Sequence, residues 1–233
     1  LTLEGESAAA PATDQAGEEP TDRSLPEFEV VGVEAVERAA APTLRFEVRA
    51  TDRSGLPVYM IALSVLITIE PAKRSYDGPT RERLVELFGE PERWATTTTS
   101  FRWTQTGVFV PSFAETTNFA IPVACTYDLE VAASKYFHGV EGGEAPLRFH
   151  FSGTVFYEAG NGSMQQLRIP WDRSVRYSMP VAAWDEMIAA HYPYRAWIPV
   201  HTETLARLAR RKAALGLPTF DAIAAKLLDE ERD

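Results

Sequence analysis

Four histidines, one cysteine and a scatter of carboxylates are the groups in this 233-residue chain that could hold a metal or move a proton. His138 and His150 flank the stretch Val140-Glu141-Gly142-Gly143-Glu144, whose paired glycines can take φ > 0 and so suit a hairpin-type connection. Such a turn would bring the two imidazoles close, with Cys125 one strand away, and that donor set could bind a borderline-soft ion. The spacing matches no ligand motif, however, so neither a metal nor a cofactor is expected. Asp128 and Glu130 would share one strand face, their Cα atoms roughly 7 Å apart, which permits acid–base work. An exposed acidic strand face is the commoner cause of that pattern. Asp128, Glu130, Tyr136, His138 and His150 together form the alternative site, one for a hydrolase-like enzyme or a small-ligand-binding sandwich. Ser152 in His150-Phe151-Ser152-Gly153 lacks the Gly-x-Ser-x-Gly elbow at a strand-to-helix turn. No Walker A or Gly-x-Gly-x-x-Gly sequence occurs. The leading reading is therefore a non-catalytic protein.

Aromatic residues point the same way. Tryptophans 94, 103, 171, 184 and 197 sit near element ends, and Ile169-Pro170-Trp171 and His191 to Trp197 form local clusters. Core packing and corner sealing account for most of them. The alternative is a patch for a protein partner, because Trp, Tyr and Arg dominate interface anchors. Tyr192, Tyr194, Arg195 and Trp197 are the candidate partner-binding residues, since they follow a helix stop in a segment with no core period.

The elements that must position these groups read as mainly β. Leu147, Phe149, Phe151, Gly153, Val155 and Tyr157 alternate with Arg148, His150, Ser152 and Thr154, the period-two mark of a half-buried strand. Tyr127, Leu129 and Val131 alternate with Asp128 and Glu130, so the stretch from Ile121 to Tyr157 is expected to be two long strands about the glycine turn. Strands are also expected from Glu27, over 43–51, 101–110 and 115–123, and in two short pieces over 164–170 and 174–179. The run from Val58 to Glu70 is apolar on both faces and should be a central strand buried on both sides. Pro122 places its own strand at an edge or a bulge. A short helix is expected over 80–88, and three more beyond Pro180, with Thr202 and Thr219 as caps of the last two and Phe220, Ile223, Leu227 and Leu228 facing inward on the last. The whole predicts an α+β fold: a mainly antiparallel β-sandwich over 27–180 with a short inserted helix, and a C-terminal helical appendage over 181–233.

Charge and composition narrow the partners. Residues 1–27 carry seven carboxylates against Arg23 alone, a net −6 of the chain's −10. Lacking aromatics up to residue 26, this acidic tail is expected to be disordered. No basic block exists for nucleic acid or an anionic membrane. One cysteine excludes an intrachain disulfide and suits a reducing compartment. With no secretory-type N-terminus and no apolar run of membrane-spanning length, a cytoplasmic location without membrane insertion is expected.

Several stretches carry a resemblance: CTYDLEVAASKYFH at 125–138, GEAPL at 143–147, FSGTVF at 151–156, IPW at 169–171, LFGEP at 87–91 and MPVAAW at 179–184. Through them the chain resembles an uncharacterised bacterial family, from about Phe28 to Leu228. Members of that family are often encoded beside nickel–iron hydrogenase structural and maturation genes, and none has an established activity. The resemblance implies an accessory or assembly role, with a hydrogenase subunit or maturation factor as the protein partner. It carries over no catalytic residue. One cysteine and four scattered histidines suit a scaffold better than a carrier of nickel or an iron–sulfur cluster.

Overall fold

The computed structural model describes residues 25–126, 128, 131–158, 162–193, 198 and 200–230. Among these residues, eight antiparallel strands form two sheets. β1 (Glu27–Ala35), β2 (Thr43–Thr51) and β5 (Thr116–Ala124) make the smaller, in the order β1-β2-β5, so Pro122 does lie on an edge strand. The larger runs β4 (Phe101–Val110), β3 (Val58–Ile69), β6 (Glu144–Glu158), and then two short strands on the same far edge of β6. β7 (Met164–Ile169) pairs residues 153–158 and β8 (Ser174–Pro180) pairs residues 144–150. The handover between them falls at Gly153, whose φ of 148° is closed to side chains and whose added Cβ would lie 2.0 Å from the Ala62 carbonyl oxygen. Only glycine lets the backbones of β6 and β3 approach this closely.

The inner faces meet through aromatic rings. Phe28 on β1 stacks on Phe151 at 4.6 Å between centroids, and Phe46 on β2 meets Phe149 edge-on at 5.0 Å. Phe46, Phe149 and Phe151 are wholly buried, as are Ile61, Val65, Ile67 and Ile69 from β3. β3 is central, as its composition predicts, but only one of its faces is buried. Met60, Ala62, Ser64, Leu66 and Thr68 are half-exposed, shielded mainly by the neighbouring strands β4 and β6.

Short helices close one end. α1 (Gly78–Arg83) is capped by Asp77, whose carboxylate accepts from Thr80 N at 2.9 Å. It is followed by α2 (Val85–Phe88) and α3 (Trp94–Thr97), with Trp94 anchored by Nε1 donating to Gly89 O at 2.8 Å. The expected strand after β5 is replaced by α4 (Ala132–Gly139). Ala133, Tyr136, Phe137 and Val140 recur at helical spacing and are all buried, and that stripe is satisfied only by a helix. Gly142 and Gly143 do take positive φ, but they join α4 to β6 instead of strand to strand.

α5 (Val181–His191) packs against β1, β2 and β8, with Trp184 stacked on Phe137 at 4.4 Å. α6 (Thr202–Ala214) and α7 (Phe220–Glu230) pack against each other. Thr202 is the first helical residue and not the cap, whereas Thr219 does accept from Ala222 N at 3.0 Å. Of the apolar positions expected to face inward on α7, Ile223 is buried, while Phe220 and Leu228 are 45% and 65% exposed.

Candidate functional site

The period-two alternation of β3 and β6 puts one set of side chains into the core and the other onto an outer face that no layer of the described residues buries. On that face a polar row crosses β3, β6 and β8. Glu70, just past β3, keeps a side chain only 9% exposed, and Arg148 Nε donates to its Oε1 at 2.8 Å. Its Oε2 accepts no hydrogen bond and lies 3.4 Å from Arg176 Nε, an ion pair without hydrogen-bond alignment. Arg148 Nη1 reaches Ser174 Oγ at 3.4 Å. His150 Nε2 lies 3.4 Å from Thr68 Oγ1. Partial burial and then the Arg148 guanidinium hold the His150 imidazole below its ordinary pKa of 6.5, against the opposing pull of Glu70. A recess of about 400 Å³ opens beside Glu70, lined also by Lys73, Arg74, Arg176 and Tyr177.

Around this polar row the face is apolar and open. Phe109 on β4, the cross-strand partner of Ala62, is 75% exposed, and Met60, Leu66 and Phe156 are half-exposed. In the β7–β8 connection Trp171 is 83% exposed. Such a mixture of exposed rings and fixed charges can dock a polypeptide.

The residues expected to form the alternative site are not brought together. Tyr136 is wholly buried on α4, its hydroxyl 3.1 Å from that of Tyr76, and burial raises the pKa of both phenols. It belongs to the ring cluster of Phe88, Phe101 and Phe137. His138, on the exposed side of α4, faces the Asp185 carboxyl of α5, which burial and Glu186 push up in pKa while His138 draws it down. His150 faces Thr68, Arg148 and Glu70 instead. The hairpin that would have joined the two histidines is absent because the segment before the glycine turn, which carries His138, is the helix α4 and not a strand. Asp128 sits in the loop before α4, its backbone N donating to Thr126 Oγ1 at 3.1 Å; Glu130 lies outside the described residues. Cys125 is buried, and burial lifts its thiol to about 12. Among the described residues no group of three or more His, Cys, Asp and Glu side chains could hold a metal ion.

Of the expected partner anchors, Tyr192 follows α5 and packs partly on the core, with its N donating to Ile188 O at 2.8 Å. Tyr194, Arg195 and Trp197 lie outside the described residues. Sequence reasoning missed the Glu70–Arg148–Arg176 group, whose members are far apart in the chain. The available signal was a carboxylate directly after an apolar strand, a position that calls for a cation nearby.

Two antiparallel sheets with an aromatic interior and one uncovered, partly charged outer face define this as an α+β sandwich protein. The chain belongs to a family of unknown function, DUF6084, whose model matches residues 24–233. No curated protein matches the sequence. Among solved structures, an Arabidopsis thaliana protein determined in solution is 13% identical, covering 73% of this chain and 91% of its own, with a TM-score of 0.39. A late embryogenesis abundant (LEA) protein is 12% identical over 67% of this chain and 71% of its own, at 0.34. The ApaA protein of Bordetella pertussis is 13% identical over 68% and 98%, at 0.26. Likenesses this distant carry nothing about activity.

Proposed function

We propose that this protein is a non-catalytic accessory or scaffold that works by protein–protein contact through the outer face of its five-stranded sheet. The observation that carries this reading is the bare face itself. Phe109 is 75% exposed and Leu66, Met60 and Phe156 are half-exposed around the Glu70–Arg148 pair. An apolar patch framed by fixed charges is what a partner surface requires. Through the family resemblance, the partner is a nickel–iron hydrogenase subunit or maturation factor, met in a reducing compartment. No helix among the described residues is long and apolar enough to cross a membrane.

Affinity pull-down of the full chain under reducing conditions, read by mass spectrometry beside the Phe109→Ser variant, tests this. The expected result is a hydrogenase subunit or maturation factor recovered with the wild type and depleted with the variant. Recovery of no such protein, or equal recovery with both, overturns the proposal.

A further inference from the structure

The two sheets treat their arginines differently. On the smaller sheet and its first turn, Arg45, Arg49 and Arg53 each meet a carboxylate, from Glu34, Glu29 and Glu27. Around the β7–β8 break the balance is reversed. Between Gly162 and Ser178 the chain has Arg168, Arg173 and Arg176 against a single carboxylate, Asp172. Arg176 shares Glu70, while Arg168 and Arg173 are exposed and have no ion-pair partner among the described residues. Trp171, 83% exposed, stands between them in the chain. An edge with spare guanidinium groups about a bare indole suits an acidic, proline-containing segment, which would bring carboxylates to the arginines and a flat ring to the tryptophan.

The chain holds such a segment and delivers it to this edge. Residues 4–22 contain Glu4, Glu6, Asp14, Glu18, Glu19 and Asp22, with Pro11 and Pro20, and no basic residue. The first strand packs against β8, and its Phe28 stacks on Phe151, whose backbone N donates to Arg173 O at 2.8 Å. Phe28 therefore stands level with Arg173, and Leu25, still packed on the core, lies no more than about 10 Å further along the chain. Glu18 and Glu19 lie six or seven residues before Leu25, a reach of about 20–25 Å, which spans the break.

We propose that the acidic segment of residues 4–22 docks within the same molecule on the β7–β8 edge, with Glu18, Glu19 and Asp22 meeting Arg168 and Arg173 and Pro20 beside Trp171. Tethering so close to its target raises the local concentration of the segment to about the millimolar range, enough for weak, exposed ion pairs to hold it. The contact needs no other protein and stands apart from the partner proposed above.

A contact-quenched fluorophore reads it directly. In the full chain, Glu19→Cys carries a bimane label, and the one native thiol, Cys125, is buried and does not compete. Bimane is quenched by tryptophan only at close range. Trp171→Phe is expected to raise emission about twofold or more, and about 0.5 M NaCl to raise the wild-type background toward the same level as screening weakens the ion pairs. Arg168→Glu with Arg173→Glu should do likewise. Glu18→Lys with Asp22→Lys should match it without touching the sandwich. Emission unchanged by Trp171→Phe overturns the proposal, as does quenching indifferent to salt and to both charge reversals. Quenching that fades on dilution overturns it too, by showing that the segment binds a second copy.

Discussion

The two faces of the five-stranded sheet are built by alternate residues of the same strands, yet they obey different physics. Inward, Ile61, Val65, Phe149 and Phe151 are sealed against the smaller sheet, and the aromatic rings there set how the two sheets meet. Outward, Leu66, Ser152, His150 and Arg148 stay half-exposed, and the order they have comes from pairing across strands, chiefly through Glu70. The inner face is held by area removed from water, the outer by a few directed contacts. Damage to the first should cost the fold, and damage to the second should leave a folded protein with altered binding.

The comparison is broken most severely from inside. Phe149→Ala removes a wholly buried ring beside Phe46 and is expected to cost about 3–5 kcal/mol in urea unfolding. A loss near zero would mean that the two sheets are not pressed together at this point. Glu70→Gln, at the boundary of the two faces, keeps the shape but leaves Arg148 without its counter-charge. A loss of about 1–3 kcal/mol is expected, and pairing it with Arg148→Met in a double-mutant cycle should show coupling between the two.

A smaller effect follows from His150. Its imidazole pKa is lowered in the folded state, so the unfolded chain binds the proton more tightly and stability rises with pH up to about 6.5. The destabilisation is present at low pH and gone above that value. His150→Gln should flatten the slope of unfolding free energy below pH 6.5, and an unchanged slope would show that His150 is not its source. Smallest of all is Phe109→Ser on the open face, expected to shift stability by less than about 0.5 kcal/mol while depleting the recovered partner. A large stability loss there would show that the face is covered after all.

Much of the β framework was legible because period two is a local property. The inner residues of β2, β5 and β6 all fall where alternation puts them, and Pro122 marked an edge. The error at 132–139 has a physical cause. Tyr136 and Phe137 have strong strand propensity, but Ala133, Tyr136, Phe137 and Val140 form a helical stripe, and packing against Trp103 and Trp184 rewards the helix. With the helix in place, the proposed meeting of His138 and His150 was lost. α7 erred in the other direction, because an amphipathic pattern says which face is apolar and not whether anything covers it.

By itself the sequence determined the fold class, the strands of both sheets, the acidic character of the first residues and the want of a recognisable catalytic motif, since each depends on neighbours in the chain. The tertiary structure alone decided that β3 is bare on one face, that α4 stands where a strand was expected, and that Glu70 sits between Arg148 and Arg176. Those outcomes depend on which distant segments come together, and burial and pairing between residues about 80 to 100 positions apart leave no periodic trace in the chain.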